Sequence, residues 1–214
     1  MGYRLKRPID FTLAILGLII FSPVLAIIAI LVARGLGRPI IFRQIRPGLH
    51  GKLFVMYKFR TMDERYDEWG RPLPDEHRVT RLGHFLRASS LDELPELINV
   101  LKGEMSLVGP RPLLVQYLEL YTPEQSRRLD VLPGISGWAQ IGGRNAVSYE
   151  ETFALDLWYV DHQSLLLDLR IIAITIRKIL QREGTMDRKE MWELTPPVVA
   201  GNGGERNTLT EIAL

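Results

Sequence analysis

No cysteine occurs among the 214 residues, so neither a disulfide framework nor a thiolate metal site is open to this chain. A cytosol-facing protein fits that absence. Histidine is scarce as well. His50, His77, His84 and His162 are scattered, and none forms a pair with the spacing of a helical zinc motif, so no histidine-based zinc site is expected. Charge of one sign is not in large excess, because 27 Lys and Arg face 25 Asp and Glu for a net +2. The basic residues make no contiguous stripe, which argues against nucleic acid as a partner. Neither a Rossmann nor a Walker glycine pattern occurs, nor any internal repeat. Apolar residues make up 46% of the chain, enough for a real core, so wholesale disorder is excluded.

What the chain does have is a long apolar run near its start. Phe11 to Ala33 carries no charge and is long enough, at about 1.5 Å per helical residue, to cross a bilayer core. It is too long for a cleaved signal peptide, and no small-residue cleavage site follows it. Its middle holds Ser22-Pro23. Proline removes an amide donor and crowds the preceding turn, and a serine hydroxyl can satisfy a backbone group freed there. Both flanks are basic: Arg4, Lys6 and Arg7 before the run, Arg34, Arg38, Arg43 and Arg46 after it. Positive charge marks the cytoplasmic end of a span, and here both ends qualify. A helix that dips in, breaks at Ser22-Pro23 and returns to the same face satisfies both flanks. On charge alone a single span with a proline kink stays open beside it.

Further along, Ile40 to Phe42 and Leu53 to Tyr57 read as two strands around the turn Pro47 to Gly51, a β-hairpin. Asp63 to Glu76 is polar and reads as a loop. Helices are expected from about Thr80 to Arg87, from about Leu94 to Leu101 with Gly103 as terminator, and from Tyr149 to Tyr159. Pro133 to Asn145 is rich in glycine and reads as a loop that approaches a ligand. Ser164 to Leu180 reads as an amphipathic helix lying at an interface or on the core, and Leu113 to Tyr121 has a similar mixed character. The fold class expected is α/β, mostly helical. Its parts are a membrane hairpin over residues 1–36, a cytoplasmic catalytic domain over 37–190 and a C-terminal tail over 191–214.

The segment Ser89 to Glu96 admits two readings. Ser90-x-x-Glu93 has the form of a capping box, and acidic residues in a first turn favour the helix dipole. The same residues also suit chemistry at a diphosphate. Asp92 is of the type that accepts a phosphoryl group covalently. Glu93 beside it could hold Mg²⁺, which usually takes one or two carboxylates plus substrate phosphates. Repulsion between such an anion and a diphosphate must then be offset by cations. Candidates stand beside turns and strand ends: Lys58 and Arg60 after a strand, Arg87 just before the dyad, Arg111 between Pro110 and Pro112, and Arg144 after Gly142-Gly143. Any single basic residue is more often a solvated charge, but cations bracketed by Gly and Pro turns fit phosphate binding.

Taken in order, these motifs resemble a known family, the monotopic phosphoglycosyl transferases among the bacterial sugar transferases, and most of all its small PglC-like type. The resemblance runs from Lys6-Arg7-Pro8-Ile9-Asp10 to about Glu183. It is carried by Ser22-Pro23, by Phe42-Arg43-Gln44-Ile45-Arg46-Pro47-Gly48 and by Tyr57-Lys58-Phe59-Arg60-Thr61-Met62. It continues through Ser90-Leu91-Asp92-Glu93-Leu94-Pro95, Asn99 to Ser106, Gly109-Pro110-Arg111-Pro112 and Pro133 to Gln140. The resemblance implies that Asp92 attacks the β-phosphate of a UDP-sugar, that UMP leaves, and that a polyprenyl (undecaprenyl) phosphate then takes the phosphosugar from the enzyme. It implies Glu93 as a Mg²⁺ ligand and Lys58, Arg87, Arg111 and Arg144 as phosphate-binding residues. It also implies a re-entrant membrane segment hinged at Ser22 and Pro23, on the cytoplasmic face of a bacterial plasma membrane. Asp156 and Asp168 stand in surroundings like those of family acids, with a structural role as the alternative. Two other classes remain beside this one: a membrane-bound phosphohydrolase that passes the phosphoryl group to water, and a non-enzymatic membrane adaptor in which Ser90 and Glu93 only cap a helix. The sugar, the pathway and the oligomeric state are not encoded in any motif, and neither is a purpose for the tail.

Overall fold

A computed structural model describes residues 3–142 and 148–181. The fold is mostly helical with two short sheets. Helix α1 (Lys6–Gly35) leads into the antiparallel hairpin β1 (Ile41–Pro47) and β2 (Leu53–Phe59). The chain continues through α2 (Asp75–Arg78), α3 (Arg81–Ala88), a 3-10 turn at Leu91–Glu93, α4 (Glu96–Lys102) and β3 (Ser106–Val108). After a 3-10 helix at Val115–Leu120 come α5 (Pro123–Ser126), a 3-10 turn at Arg127–Leu129, β4 (Gly134–Ser136), α6 (Trp138–Gly142), α7 (Tyr149–His162) and α8 (Leu165–Gln181).

Helix α1 is long and apolar enough to cross a membrane. The break expected at Ser22-Pro23 does not interrupt it. The helix runs through Pro23 as one piece of 30 residues. The local chemistry explains the continuity. Pro23 has no N–H to give to the carbonyl of Ile19, four residues back, and the Ser22 hydroxyl donates to that same oxygen at 2.8 Å. The vacated acceptor is filled, so the helix survives its proline.

Both ends of α1 are fixed to the same folded body. At the start, Lys6 forms a buried ion pair with Asp168 of α8 and donates to the Tyr159 hydroxyl of α7. Arg7 donates to the carbonyls of Val100 and Leu101 at the end of α4, where the helix dipole favours a cation. Asp10 accepts from the amide of Leu107 in β3 at 3.1 Å. At the far end, the Arg60 guanidinium donates to the carbonyls of Leu36 and Arg38. Between these ends the helix builds two of the three hydrophobic clusters among the described residues. Ala14 packs with Phe54, Met56, Leu97, Val100 and Met105, and Ile28 and Val32 pack with Phe59 and Leu86. Its outward apolar face is most exposed at Ile19 and Ile20, 64% and 68%, next to Ser22-Pro23.

The expected hairpin, the helices near 80–87 and 94–101, and the helices at 149–159 and 164–180 are all present. Gly103 closes α4 in the left-handed conformation, with φ 81°. Pro133 to Asn145 is corrected. As far as Gly142 it is not a ligand loop but strand β4, parallel to β3, followed by helix α6. Residues 143–145 lie outside the described residues. The glycines serve backbone packing. A Cβ on Gly134 would lie 2.0 Å from the Gly109 amide nitrogen, and one on Gly137 would lie 2.4 Å from the Gly109 carbonyl oxygen. Two main chains meet there at a distance no other residue allows.

Candidate functional site

Strand β2 delivers the first member of the site. Lys58 sits opposite Phe42 in the hairpin register and is buried. Its ammonium lies 2.7 Å from Glu93 Oε1 and 3.0 Å from Glu96 Oε1. Arg111, from the turn after β3, donates from Nη2 to the same Glu93 oxygen at 2.7 Å. Asp92, 1% exposed, stands in the intervening 3-10 turn. One short acidic segment is thus gripped by cations from two separate parts of the chain.

The capping-box reading of Ser90 and Glu93 is corrected here. Ser90 makes no side-chain cap hydrogen bond and adopts φ 55°, in the left-handed region. That conformation costs a non-glycine residue roughly 1–2 kcal/mol. The same sequence pattern at Ser148 and Glu151 does form the reciprocal box that opens α7. The difference lies in Glu93, whose carboxylate turns to Lys58 and Arg111 rather than back to the Ser90 amide.

The electrostatics separate the two glutamates of this segment. Burial pushes the Glu93 carboxyl up, but the charges of Arg111 and Lys58 outweigh it and hold Glu93 well below the usual carboxylate range. Burial pushes Glu96 up to about 7; Lys58 opposes the rise and the Glu93 anion adds to it. Arg111 is raised above its ordinary value by Glu93 first, with Glu96 and Asp92 contributing. The cluster thus holds one firmly ionised glutamate beside one whose carboxyl is pushed up to about 7.

The cluster forms one wall of a cavity of about 430 Å³. Its charged lining is Lys58, Arg46, Arg60, Arg78, Arg87 and Arg111 against Glu64, Asp75, Asp92 and Glu96. Six cations against four carboxylates favour an anionic ligand. Phe42, Met56, Leu113, Leu114 and Tyr117 line an apolar part of the same space. Arg87 is aimed by α3, its Nε donating to the Thr61 hydroxyl at 3.0 Å. That approach depends on Gly83, where a Cβ would lie 2.0 Å from the Thr61 carbonyl oxygen.

Of the residues singled out from sequence, Lys58, Arg87, Asp92 and Arg111 therefore meet at one cavity, with Glu93 bound to two of them behind the wall. Arg144 lies outside the described residues. Asp168 is remote from the cavity and ties α1 to α7 and α8 through Lys6, Tyr3 and Tyr159. Asp156 pairs with buried Arg128 at 2.6 Å. Glu96 was not singled out, since beside the dyad it looks like one more first-turn acid. Asn99 was missed too. It is fully buried, donates to Val55 O and accepts from Tyr57 N, and so fixes α4 against β2. The available signal was a polar amide inside an apolar helical stretch.

The chain is similar in sequence to known proteins. A family model described as bacterial sugar transferase matches residues 1–182. The uncharacterized sugar transferase EpsL of Bacillus subtilis is 55% identical over 180 residues, covering 84% of this chain and 89% of its own. The undecaprenyl-phosphate galactose phosphotransferase of Salmonella typhimurium is 40% identical over 197 residues, covering 84% of this chain and 41% of its own. The UDP-glucose:undecaprenyl-phosphate glucose-1-phosphate transferase of Escherichia coli is 42% identical over 184 residues, covering 81% of this chain and 40% of its own. The chain thus spans less than half the length of the latter two relatives. A match over residues 1–182, through the whole of the acidic segment and its cations, places the chain in the bacterial sugar transferase family.

Proposed function

We propose that this protein transfers a sugar 1-phosphate from a UDP-sugar to polyprenyl phosphate, releasing UMP. The observation that carries the proposal is Asp92, buried in the wall of a cation-rich cavity and flanked by Glu93, which Lys58 and Arg111 hold ionised. Two relatives whose names specify transfer to undecaprenyl phosphate support the acceptor class. In the first step an Asp92 carboxylate oxygen attacks the β-phosphorus. The bond from that phosphorus to the bridging oxygen breaks, and UMP leaves with the electron pair. In the second step a phosphate oxygen of the polyprenyl phosphate attacks the same phosphorus and displaces the Asp92 carboxylate. Lys58, Arg87 and Arg111 balance the phosphate charge in both steps.

Magnesium belongs to this reading. Among the described residues no cluster of three or more Asp, Glu, His or Cys could hold a metal alone. The donor chemistry of Asp92-Glu93 nevertheless fits Mg²⁺, which needs one or two carboxylates when substrate phosphates complete its shell. Glu93 is the ligand proposed, and the ion when bound would neutralise charge on the diphosphate.

The membrane arrangement is part of the same proposal. A straight helix of 30 residues would be roughly 45 Å long and would carry its two ends to opposite faces of a bilayer. Here both ends are hydrogen-bonded to one polar body, and the apolar exposure peaks beside Pro23. That combination supports a re-entrant segment entering and leaving by the cytoplasmic face. Exposed Leu166, Leu169, Ile176 and Leu180 on α8 support contact with the headgroup layer. The cavity would then sit where a soluble UDP-sugar and a bilayer-bound acceptor both reach it.

The test is intact-protein mass spectrometry of the purified protein with Mg²⁺ and a panel of UDP-sugars, without lipid acceptor. A mass gain of one phosphosugar, absent in Asp92→Asn, is the expected result. UMP release only on addition of polyprenyl phosphate, with no mass gain, would demote Asp92 from nucleophile to base.

A further inference from the structure

The turn that carries Arg111 is held with unusual thoroughness. Its three successive carbonyls are each claimed by a different part of the chain. Pro110 O accepts from the Gly134 amide at 3.0 Å, Arg111 O from Arg128 Nη2 at 2.8 Å, and Pro112 O from Arg46 Nη1 at 3.3 Å. Only the second of these comes from a residue that is itself buried and ionic. Arg128 is 4% exposed and lies outside the cavity wall. Besides Arg111 O it donates to Asp156 Oδ2 at 2.6 Å and, through Nη1, to the Tyr121 hydroxyl at 2.9 Å. The guanidinium also lies over the Phe153 ring, 5.1 Å from its centroid.

A buried ion pair gives up hydration on both partners, and packed apolar side chains in its place are often as stable or more so. Stability alone is therefore a weak account of Arg128 and Asp156. Direction is a better one. Arg111 must place one guanidinium nitrogen 2.7 Å from Glu93 Oε1 while still facing the cavity. Nη2 donates to both the Arg111 carbonyl and Asp156 while Nη1 holds the Tyr121 hydroxyl, so the planar fork fixes three acceptors on two nitrogens in one plane, which the single nitrogen of a lysine ammonium cannot do with the same fixed geometry.

We propose that Arg128, neutralised by Asp156 of α7, is a positioning residue that fixes the main chain of Arg111 and thereby aims its guanidinium at Glu93 and the phosphate. The inference rests on Arg111 acting on a phosphosugar donor, as set out above, and extends it to residues that touch no substrate.

Hydrogen exchange of the purified full chain without substrate tests the bracing independently of activity. Arg128→Lys keeps the charge but loses the fork. It should speed exchange of the amides between residues 109 and 114 and leave those of β1, β2 and α4 at wild-type rates. Arg127→Ala, one position earlier and, among the described residues, paired with exposed Asp161, should change neither. Kinetics then test the consequence. Arg128→Lys should lower turnover roughly 10- to 100-fold, the scale of a small misplacement at a reacting centre, and Arg111→Ala/Arg128→Lys should be no slower than Arg111→Ala alone. Unchanged exchange at 109–114, a rise spread over the whole chain, or losses that multiply in the double variant would each overturn the proposal. A wild-type chain that transfers no phosphosugar would overturn the functional reading instead, and the exchange result would still decide the bracing.

Discussion

Glu93 and Glu96 lie three positions apart on the same stretch of chain, yet their protons answer to opposite forces. Glu93 is held down by Arg111 and Lys58 against its own burial. Glu96 is buried beside an ammonium that Glu93 already shares, and its carboxyl rises from 4.5 to about 7. The sign of the consequence follows from linkage. A group whose folded pKa is raised contributes stability that is complete below its unfolded value and disappears as pH climbs through the folded value. Glu96 therefore weakens the fold as pH passes upward through about 7. Glu96→Gln should match the wild type in acid and gain on it steadily between about pH 5 and pH 8. Melting temperatures of the two proteins in the same detergent, taken across that range, check it; a constant offset would mean that Glu96 is not the titrating group. Glu93→Gln belongs at this scale too. It leaves Lys58 and Arg111 with their shared anion removed, and breaking a buried pair in this way costs about 3–5 kcal/mol. A fall in melting temperature together with loss of UMP release is expected, whereas retention of both would remove Glu93 from the centre of the site.

At the scale of elements, the parallel pair β3 and β4 leaves no room for a single added methyl group. Gly134→Ala would put a methyl group 2.0 Å from the Gly109 amide nitrogen and 2.5 Å from the Ser136 carbonyl oxygen. Neither atom can retreat without parting the strands. A loss of about 3 kcal/mol, at the upper end of overpacking effects, is expected. Gly51→Ala is the comparison. Its φ is 75° but nothing lies within 4 Å of the added methyl group, so only the backbone term applies, about 1 kcal/mol. Thermal unfolding that ranked Gly51→Ala as the worse would refute the close-approach account. These two glycines also show where sequence stopped being readable. The β1–β2 hairpin was legible because its strand patterns and its turn are neighbours in the chain. Strand β4 was not, because what makes Gly134 a strand residue is its pairing with Ser106 of β3, remote in sequence. In the same way Lys58, Arg87, Asp92 and Arg111 could be picked out from their local motifs, and the structure brings these four to one cavity. Arg128 and the split between Glu93 and Glu96 were invisible, since both arise only when distant elements close on one another. Ser90 was misleading, because its local pattern is that of a cap and a tertiary attraction on Glu93 overrides it.

At the scale of the whole molecule, the apolar helix and the polar body cannot be treated as an anchor and its cargo. Ala14 shares a cluster with Val100 and Met105, and Val32 shares one with Phe59 and Leu86. The same helix ties down, through Arg7 and Asp10, the end of α4 and the β3 strand that lead to the site. Moving one end of α1 across a bilayer would therefore tear Lys6 from Asp168 and open the core from beneath. That coupling makes the proposed topology testable at Ser22-Pro23. Ser22 fills the acceptor that Pro23 leaves at Ile19, so replacing both, Ser22→Leu with Pro23→Ala, restores an ordinary hydrogen-bonded helix that favours a straight span. In the wild type, cysteines introduced at Gly2 and at Arg38 should both react with a label confined to the cytoplasmic side. In the double variant the label at Gly2 should be lost, and because α1 then leaves the body that its first turn holds, phosphosugar transfer should fall with it. Labelling of both positions in both proteins would show that the polar contacts of Lys6, Arg7 and Asp10, rather than the serine-proline pair, hold the two ends on one face.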